Sequence, residues 1–348
     1  MRIFGLMRRA DRLSEILQVL SNDGAADVGG LAARLGVSEA TVRRDLQLLE
    51  EQRMLARTHG GAVASDVMYE LPLRYKAARH QAEKGRIAAV GCGTSLYIAR
   101  AFAALREAGG HGETDAFPAS EFPVDRTYDR VVAISRSGTT SEVVRLLGDL
   151  AGRRTSVITG VPTSPAVPLA SDVVALEFAD ERSVVQTRFA TSTLALLRSH
   201  LGHDLTPVIA EAEQALAEPV DAAALEAEHF VFLGHGWSVG IAEEAALKLR
   251  EATRSYTEAY PAMEYRHGPI SIAGPRTLVW VFGSPDPSIA DDVRAVGASV
   301  RTATLDPMAE LVRVHRLTLA LAERRGLDPD HPQHLTRSVV LSAKGANT

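Results

Sequence analysis

Three features predict an α/β body of two similar halves behind a short helical head. Apolar spacing is helical from Arg8 to about Glu51 and changes character from Arg86. Strand-like runs then alternate with helical ones, at Arg86–Val90, Val131–Ile134, Ser156–Ile158, Val173–Leu176, Phe230–Leu233 and Leu278–Phe282. That alternation is the pattern of βαβ units around a parallel sheet. Finally, a strand, a G-x-G-x-S turn and an Ala-rich helix occur twice, at Gly91-Cys92-Gly93-Thr94-Ser95 and at Gly234-His235-Gly236-Trp237-Ser238. Two similar halves account for that repeat better than one large sheet.

Composition sets the outer limits. The 348 residues suggest two or three domains. With 46% hydrophobic and 23% charged residues the chain reads as globular, which excludes a disordered or collagen-like protein. A formal charge of −5, from 38 basic and 43 acidic side chains, argues against a surface that coats nucleic acid. Cys92 is the one cysteine and has no internal disulfide partner. The segment Met1-Arg2-Ile3-Phe4-Gly5-Leu6-Met7-Arg8-Arg9 lacks the apolar stretch of a signal peptide, and no run approaches the roughly 20 apolar residues of a membrane helix. A cytoplasmic protein is expected.

The expected boundaries are a head over 1–62, a linker with a first body helix over 63–85, and α/β halves over 86–218 and 219–348. Gly60-Gly61 opens the linker and Arg74–Lys84 has helical spacing; Pro219 interrupts a helical run that begins near Pro207. Within the head, Leu13, Ile16, Leu17 and Leu20 lie on one helical face, and Gly24 ends that helix. A second helix spans about Val28–Leu35, with Gly36 supplying the turn. Ser38 then caps a third helix, Glu39–Glu51, which turns Val42, Leu46 and Leu49 inward. Its other face offers Thr41, Arg43, Arg44 and Gln47. This is the layout of a helix-turn-helix, whose second helix enters the major groove, where arginine and glutamine read guanine and adenine edges. A small helical hairpin with a solvated polar face shares the same periodicity.

Specific strings separate the two readings. Arg12, Ile16 and Leu20, followed by Ser38-x-x-Thr41-Val42-Arg43-Arg44-Asp45-Leu46 and His59-Gly60-Gly61-Ala62, resemble the signature of the DeoR-type regulators. The resemblance implies a winged helix-turn-helix for double-stranded DNA, with Arg57 and His59 on or beside the wing. Gly29-Gly30 departs from the polar residues usual there, at about 1 kcal/mol each against alanine.

The first half carries an anion-binding pattern. After Val131–Ile134 comes Ser135-Arg136-Ser137-Gly138-Thr139-Thr140-Ser141-Glu142, which opens a helix. Backbone N–H groups and the positive dipole end favour an anion there, hydroxyls add donors, and Gly138 lets the backbone approach closely. Without a lysine this is not a nucleotide P-loop. A single phosphate monoester fits; so does a serine-rich turn that merely caps a helix. The G-x-G turns lack the third glycine of a dinucleotide fingerprint, with Leu96 and Val239 in its place, so no cofactor is expected. His331 and His334 have no accompanying carboxylate cluster and make no metal site.

Together these pieces resemble the sugar isomerase (SIS) domain, and are most similar to the isomerase half of glucosamine-6-phosphate synthase. The resemblance spans roughly 86–341 and implies two flavodoxin-like parallel α/β subdomains. Gly93, Thr94 and Ser95 correspond to that family's first loop, and Ser135, Arg136, Ser137, Gly138 and Thr140 to its phosphate loop. Val184 and Gln186, within Glu181–Arg188, correspond to a sugar-contacting segment. Ala246–Glu251 resembles the stretch carrying the acid–base glutamate, which is then Glu251. Glu258–Pro269 resembles the stretch whose histidine, here His267, assists ring opening in the neighbouring subunit, implying a homodimer or higher oligomer. Lys248, one turn before Glu251, either orients that carboxylate or forms an ordinary surface ion pair. His267 has an alternative as a loop-capping residue before Pro269.

Departures from the pattern favour a sensor over an enzyme. The synthase carries a cysteine after its initiator methionine, where this chain has Arg2, so amination drawing on glutamine is not expected. Arg337 stands where the family has a Schiff-base lysine. A guanidinium stays protonated and forms no imine, although it still binds phosphate or hydroxyl groups. Arg136 and Gln186 replace a glutamine and a serine. The expected function is therefore a DNA-binding regulator with a phosphorylated sugar or amino sugar as effector. The alternative is a ketose/aldose-phosphate isomerase or amino-sugar-phosphate deaminase with a regulatory head.

Overall fold

A computed structural model describes residues 9–23, 25–51, 55–58, 61–64 and 85–341. His59 and the expected linker helix Arg74–Lys84 lie outside them. The chain divides into two compact units, Met1–Arg79 and His80–Thr348.

In the first unit, α1 (Arg9–Asp23), α2 (Val28–Leu35) and α3 (Glu39–Glu51) enclose one apolar core. Ile16, Val19 and Leu20 pack with Val28, Leu31, Leu35, Val42, Leu46 and Leu49. The Asp27 carboxylate accepts the Gly30 N–H at 2.8 Å, a side-chain cap that offsets the weak helix propensity of Gly29-Gly30. Ser38 Oγ accepts the Thr41 amide in the same way at α3. Strands β1 (Ala25–Asp27), β2 (Leu55–Thr58) and β3 (Gly61–Ala64) form an antiparallel sheet ordered β1-β3-β2. The sequence indicated the wing but not β1, three residues long.

The body begins with β4 (Ile87–Gly91), α4 (Thr94–Ala108), β5 (Thr114–Pro118), β6 (Arg130–Ile134), α5 (Ser141–Asp149), β7 (Thr155–Thr159), β8 (Asp172–Ala175) and α6 (Arg188–His200). Its strands form an all-parallel sheet ordered β5-β4-β6-β7-β8. After α7 (Thr206–Ala217) the pattern repeats with β9 (His229–Gly234), α8 (Ser238–Thr253), β10 (Tyr256–Pro261), β11 (Thr277–Val281), α9 (Ser288–Ala295), β12 (Ser299–Thr302) and α10 (Pro307–Arg324). That sheet is ordered β10-β9-β11-β12, again parallel throughout. Counted within each half, the orders are 2-1-3-4-5 and 2-1-3-4. Both follow the doubly wound flavodoxin-like order, the second without its last strand among the described residues.

Every residue of β4, β7 and β11 is buried, as expected for parallel strands covered on both faces. The repeated turns agree in backbone as well as sequence: Gly93 and Gly236 both have φ +55°, a left-handed conformation that favours glycine. Strands β5, β10 and β12 were not anticipated, because polar residues interrupt their apolar pattern. The segment after α10 returns to the first half, where Val184 N–H donates to Asp330 O at 3.1 Å and Ser141 N–H to Val339 O at 3.0 Å.

Candidate functional site

The site forms where β6 ends. Ser135, Arg136 and Ser137 are each less than a tenth exposed, and α5 begins at Ser141 behind Thr140. The Ser135 amide donates to Ile158 O at 3.0 Å, which fixes the loop to β7. Gly138 has φ +59°, and a Cβ there would lie 1.9 Å from Ser164 Oγ. Glycine is thus required twice over, by conformation and by space. Thr139 Oγ1 is hydrogen-bonded to Ser137 Oγ at 2.9 Å and to Ser338 Oγ at 2.8 Å, donating its one proton to one of them and accepting from the other. The result is a hydroxyl-lined loop at a helix N-terminus, chemically suited to one phosphate group.

Three separate segments meet on Arg136. Its Nη1 donates to Ser183 O at 2.6 Å, and its Nη2 to Arg337 O at 2.9 Å and Val184 O at 3.4 Å. Burial, and secondarily the like charge of Arg337, lower its pKa. Both Nη groups are therefore engaged with carbonyls, and the buried Nε has no partner. Arg337 in turn pairs with Asp180 and donates to Glu181 O. Arg136 and Arg337 thus fasten the C-terminal segment across the Ser135–Thr140 loop. Gln186, on the same third segment, is half-buried with an unpartnered Oε1.

Helix α8 is tied to the loop electrostatically, Glu251 lying in the field of Arg136. Glu244, Lys248 and Glu251 recur at i, i+4 and i+7 on one face. Lys248 Nζ donates to Glu251 Oε2 at 2.6 Å and lies 3.8 Å from Glu244 Oε1. The pair is not a surface ion pair: the Lys248 side chain is 2% exposed and Glu251 19%. Glu251 is the member of the stripe open to solvent. Burial raises the Glu244 carboxyl to about 8, and Thr94, Glu181 and Glu251 face it. His315 on α10 lies in the field of Lys248, and burial lowers its pKa to about 3. Thr94 and Ser95 are buried at the start of α4, with Gly93 exposed beside them.

His267 follows β10 in the second half. It is exposed on the turn Glu264–His267, and among the described residues no contact links it to Glu251 or Lys248. At the corresponding loop of the second half, the helix amide of Ser288 is capped by the Asp286 carboxylate at 2.8 Å, and Pro287 has no N–H. Glu244 and His315 escaped the sequence reading. Glu244 had a signal, the charged i, i+4, i+7 stripe in an Ala-rich helix; His315 had none. Glu181 was read as part of a sugar-contacting segment. Its carboxylate accepts the Thr187, Arg188 and Phe189 amides, capping α6.

On the first unit, Ser38, Arg43, Arg44 and Gln47 are exposed and Thr41 half-buried along α3. Arg43 pairs with Glu39 at 2.7 Å, and Arg57 on β2 pairs with Glu50 at 2.6 Å. Arg12 donates twice to the buried Asp45, at 2.5 and 3.2 Å, tying α1 to α3. This explains why those two residues belong to the signature string.

Residues 12–67 match the DeoR-like helix-turn-helix domain. The head is a DeoR-like helix-turn-helix domain. Behind that DeoR-like head, the body is similar to glutamine–fructose-6-phosphate aminotransferases (isomerizing). The protein of Aeropyrum pernix is 28% identical over 354 aligned residues, covering 85% of this chain and 56% of the relative. That of Methanothermobacter thermautotrophicus is 27% identical, covering 74% and 52%. The chain thus spans about half the length of the curated relatives it matches. Among solved structures, glucosamine-6-phosphate deaminase of Thermotoga maritima aligns with a TM-score of 0.65 at 24% identity, covering 85% of this chain and 99% of that one. The C-terminal domain of the Francisella tularensis aminotransferase aligns at 0.64 with 21% identity, covering 95% and 100%. The body behind the DeoR-like head therefore has the sugar-isomerase fold.

Proposed function

We propose that this protein is a transcriptional regulator whose DeoR-like head binds a double-stranded operator and whose body binds a phosphorylated sugar or amino sugar as effector. The observation that carries the reading is the hydroxyl-lined loop Ser135–Thr140, beside the Lys248–Glu251 pair and in the same chain as a helix-turn-helix. The named activities of the relatives, on fructose 6-phosphate and glucosamine 6-phosphate, supply the ligand class. Phosphate binds at the α5 N-terminus, Glu251 accepts a sugar hydroxyl, and Gly93–Ser95 with Val184 and Gln186 line the remaining wall. No helix among the described residues is long and apolar enough to cross a membrane, and we place the regulator with its DNA in the cytoplasm.

His267, exposed and with no contact to Glu251 among the described residues, supports a dimer in which each chain completes its partner's site. Ligand then shifts the population of dimers whose two heads match half-sites about 34 Å apart. The test is fluorescence anisotropy on the promoter DNA flanking the coding sequence, with and without fructose 6-phosphate and glucosamine 6-phosphate. A sugar-phosphate-dependent change in operator affinity is expected; affinity indifferent to both compounds sinks the proposal.

One observation favours a second reading. The buried Lys248–Glu251 pair retains the groups that move a proton between adjacent sugar carbons. Isomerisation or ammonia release that vanishes in Glu251→Gln would establish an enzyme. Transfer through an imine is not part of either reading, because Arg337 is a guanidinium held by Asp180.

A further inference from the structure

Glu244 is fully buried; neither carboxylate oxygen has a partner within 3.5 Å among the described residues, and the Thr94 hydroxyl gives it only a weak, longer contact. The cation near it, Lys248, sits between two carboxylates, one turn from each, and is bonded to Glu251. One ammonium therefore serves two carboxylates and neutralises one. The groups facing Glu244 from other elements bring no second cation. Thr94 on α4 is neutral, and the Glu181 carboxylate before α6 is occupied by backbone amides. His315 on α10, near Lys248, remains uncharged, because burial holds its pKa at about 3. An ionised Glu244 in that enclosure would be uncompensated. Burial accordingly raises its pKa to about 8, and it holds a proton at neutral pH.

We propose that Glu244 is a proton-holding positioning residue: a sugar phosphate that engages Glu251 transfers Lys248 to Glu244, which then releases its proton. The inference rests on the sugar-phosphate reading of this site. In the free protein Lys248 Nζ bonds Glu251 Oε2. A ligand hydroxyl donates to Glu251 and takes over part of its acceptor capacity. Lys248 then turns to Glu244 Oε1, the O–H bond of the Glu244 carboxyl breaks, and its proton passes to buffer. No bond of the ligand changes. The free state holds one more proton than the bound state, so binding tightens as pH rises toward 8 and levels off above it.

The experiment is calorimetric titration of the full chain with fructose 6-phosphate and with glucosamine 6-phosphate. It is run at pH 7.5 in buffers of differing ionisation enthalpy, on wild type and Glu244→Gln. Release of roughly half a proton or more per site is expected in wild type. For each sugar, most of it should be missing from the variant; a purely structural glutamate would change affinity or melting temperature without changing the proton count. Buffer-independent heats in wild type, or equal release in both proteins, overturn the inference while leaving the binding site standing. Should Glu244→Gln fail to fold or bind, the wild-type pH series decides. A dissociation constant for fructose 6-phosphate that falls several-fold between pH 7 and 8 and is constant above about 8.5 supports it; a flat series overturns it. Binding of neither sugar overturns the sugar-phosphate reading itself, and this inference with it.

Discussion

Gly138 shows how narrowly one residue can set a site. Its φ of +59° and the 1.9 Å approach of Ser164 Oγ leave no room for a methyl group. Gly138→Ala is expected to reduce fructose 6-phosphate affinity at least about tenfold, by displacing the loop amides from the anion, with far-ultraviolet circular dichroism unchanged. His315 belongs to the same scale but acts on stability. Its folded pKa of about 3 lies below the ordinary histidine value of 6.5, so the unfolded chain takes up a proton first as pH falls. That contribution is complete above pH 6.5 and is lost progressively between 6.5 and about 3. Thermal melting at pH 7 and pH 4.5 should show a smaller acid-induced drop in His315→Gln than in wild type.

At the level of elements, helix α3 carries two duties on opposite faces. Val42, Leu46 and Leu49 hold it in the core, and Asp45 anchors it to α1 through Arg12. Arg12→Ala leaves the buried Asp45 carboxylate with only the longer contact to the exposed Arg9, at 3.8 Å, and is expected to destabilise the head by about 2 kcal/mol. A separate, earlier melting step of the head, absent in wild type, is the measurement. Much of this was legible in the sequence. The three head helices were marked by 3.6-residue spacing and by Ser38 and Gly36, and six strands of the body by apolar runs. The edge strands β5, β10 and β12 were not, because Asp115, Glu258 and Arg301 interrupt their apolar runs, whereas the edge strand β8 keeps Val173-Val174-Ala175 uninterrupted. The phosphate loop was visible because its residues are consecutive. The grip of Arg136 on Arg337 O was not, since it joins residues far apart in the chain by way of backbone carbonyls that carry no side-chain signature.

For the molecule as a whole, charge is partitioned. The head places Arg43 and Arg44 on an exposed helix face, in a chain of net charge −5. Binding by charge alone is weak in such a protein, and base contacts must carry specificity. The double variant Arg43→Ala, Arg44→Ala is expected to abolish operator binding at physiological salt, while calorimetry still detects sugar-phosphate binding. Where residual binding is measurable, the slope of log affinity against log salt should fall by up to about two. Retained operator affinity in that variant would remove α3 from the DNA interface.

The filled loop of the second half sets the dose response. Asp286 caps its own helix there and Pro287 brings no N–H, so on the proposed reading each chain is expected to take up one effector molecule, a stoichiometry that calorimetric titration of the full chain checks. The proposed dimer is then expected to show a Hill coefficient no greater than two. Moving such a pair from one-tenth to nine-tenths occupancy requires at least about a ninefold change in effector concentration. On the proposed reading, a duplicated body with one binding loop makes a graded reporter of sugar phosphate rather than a sharp threshold.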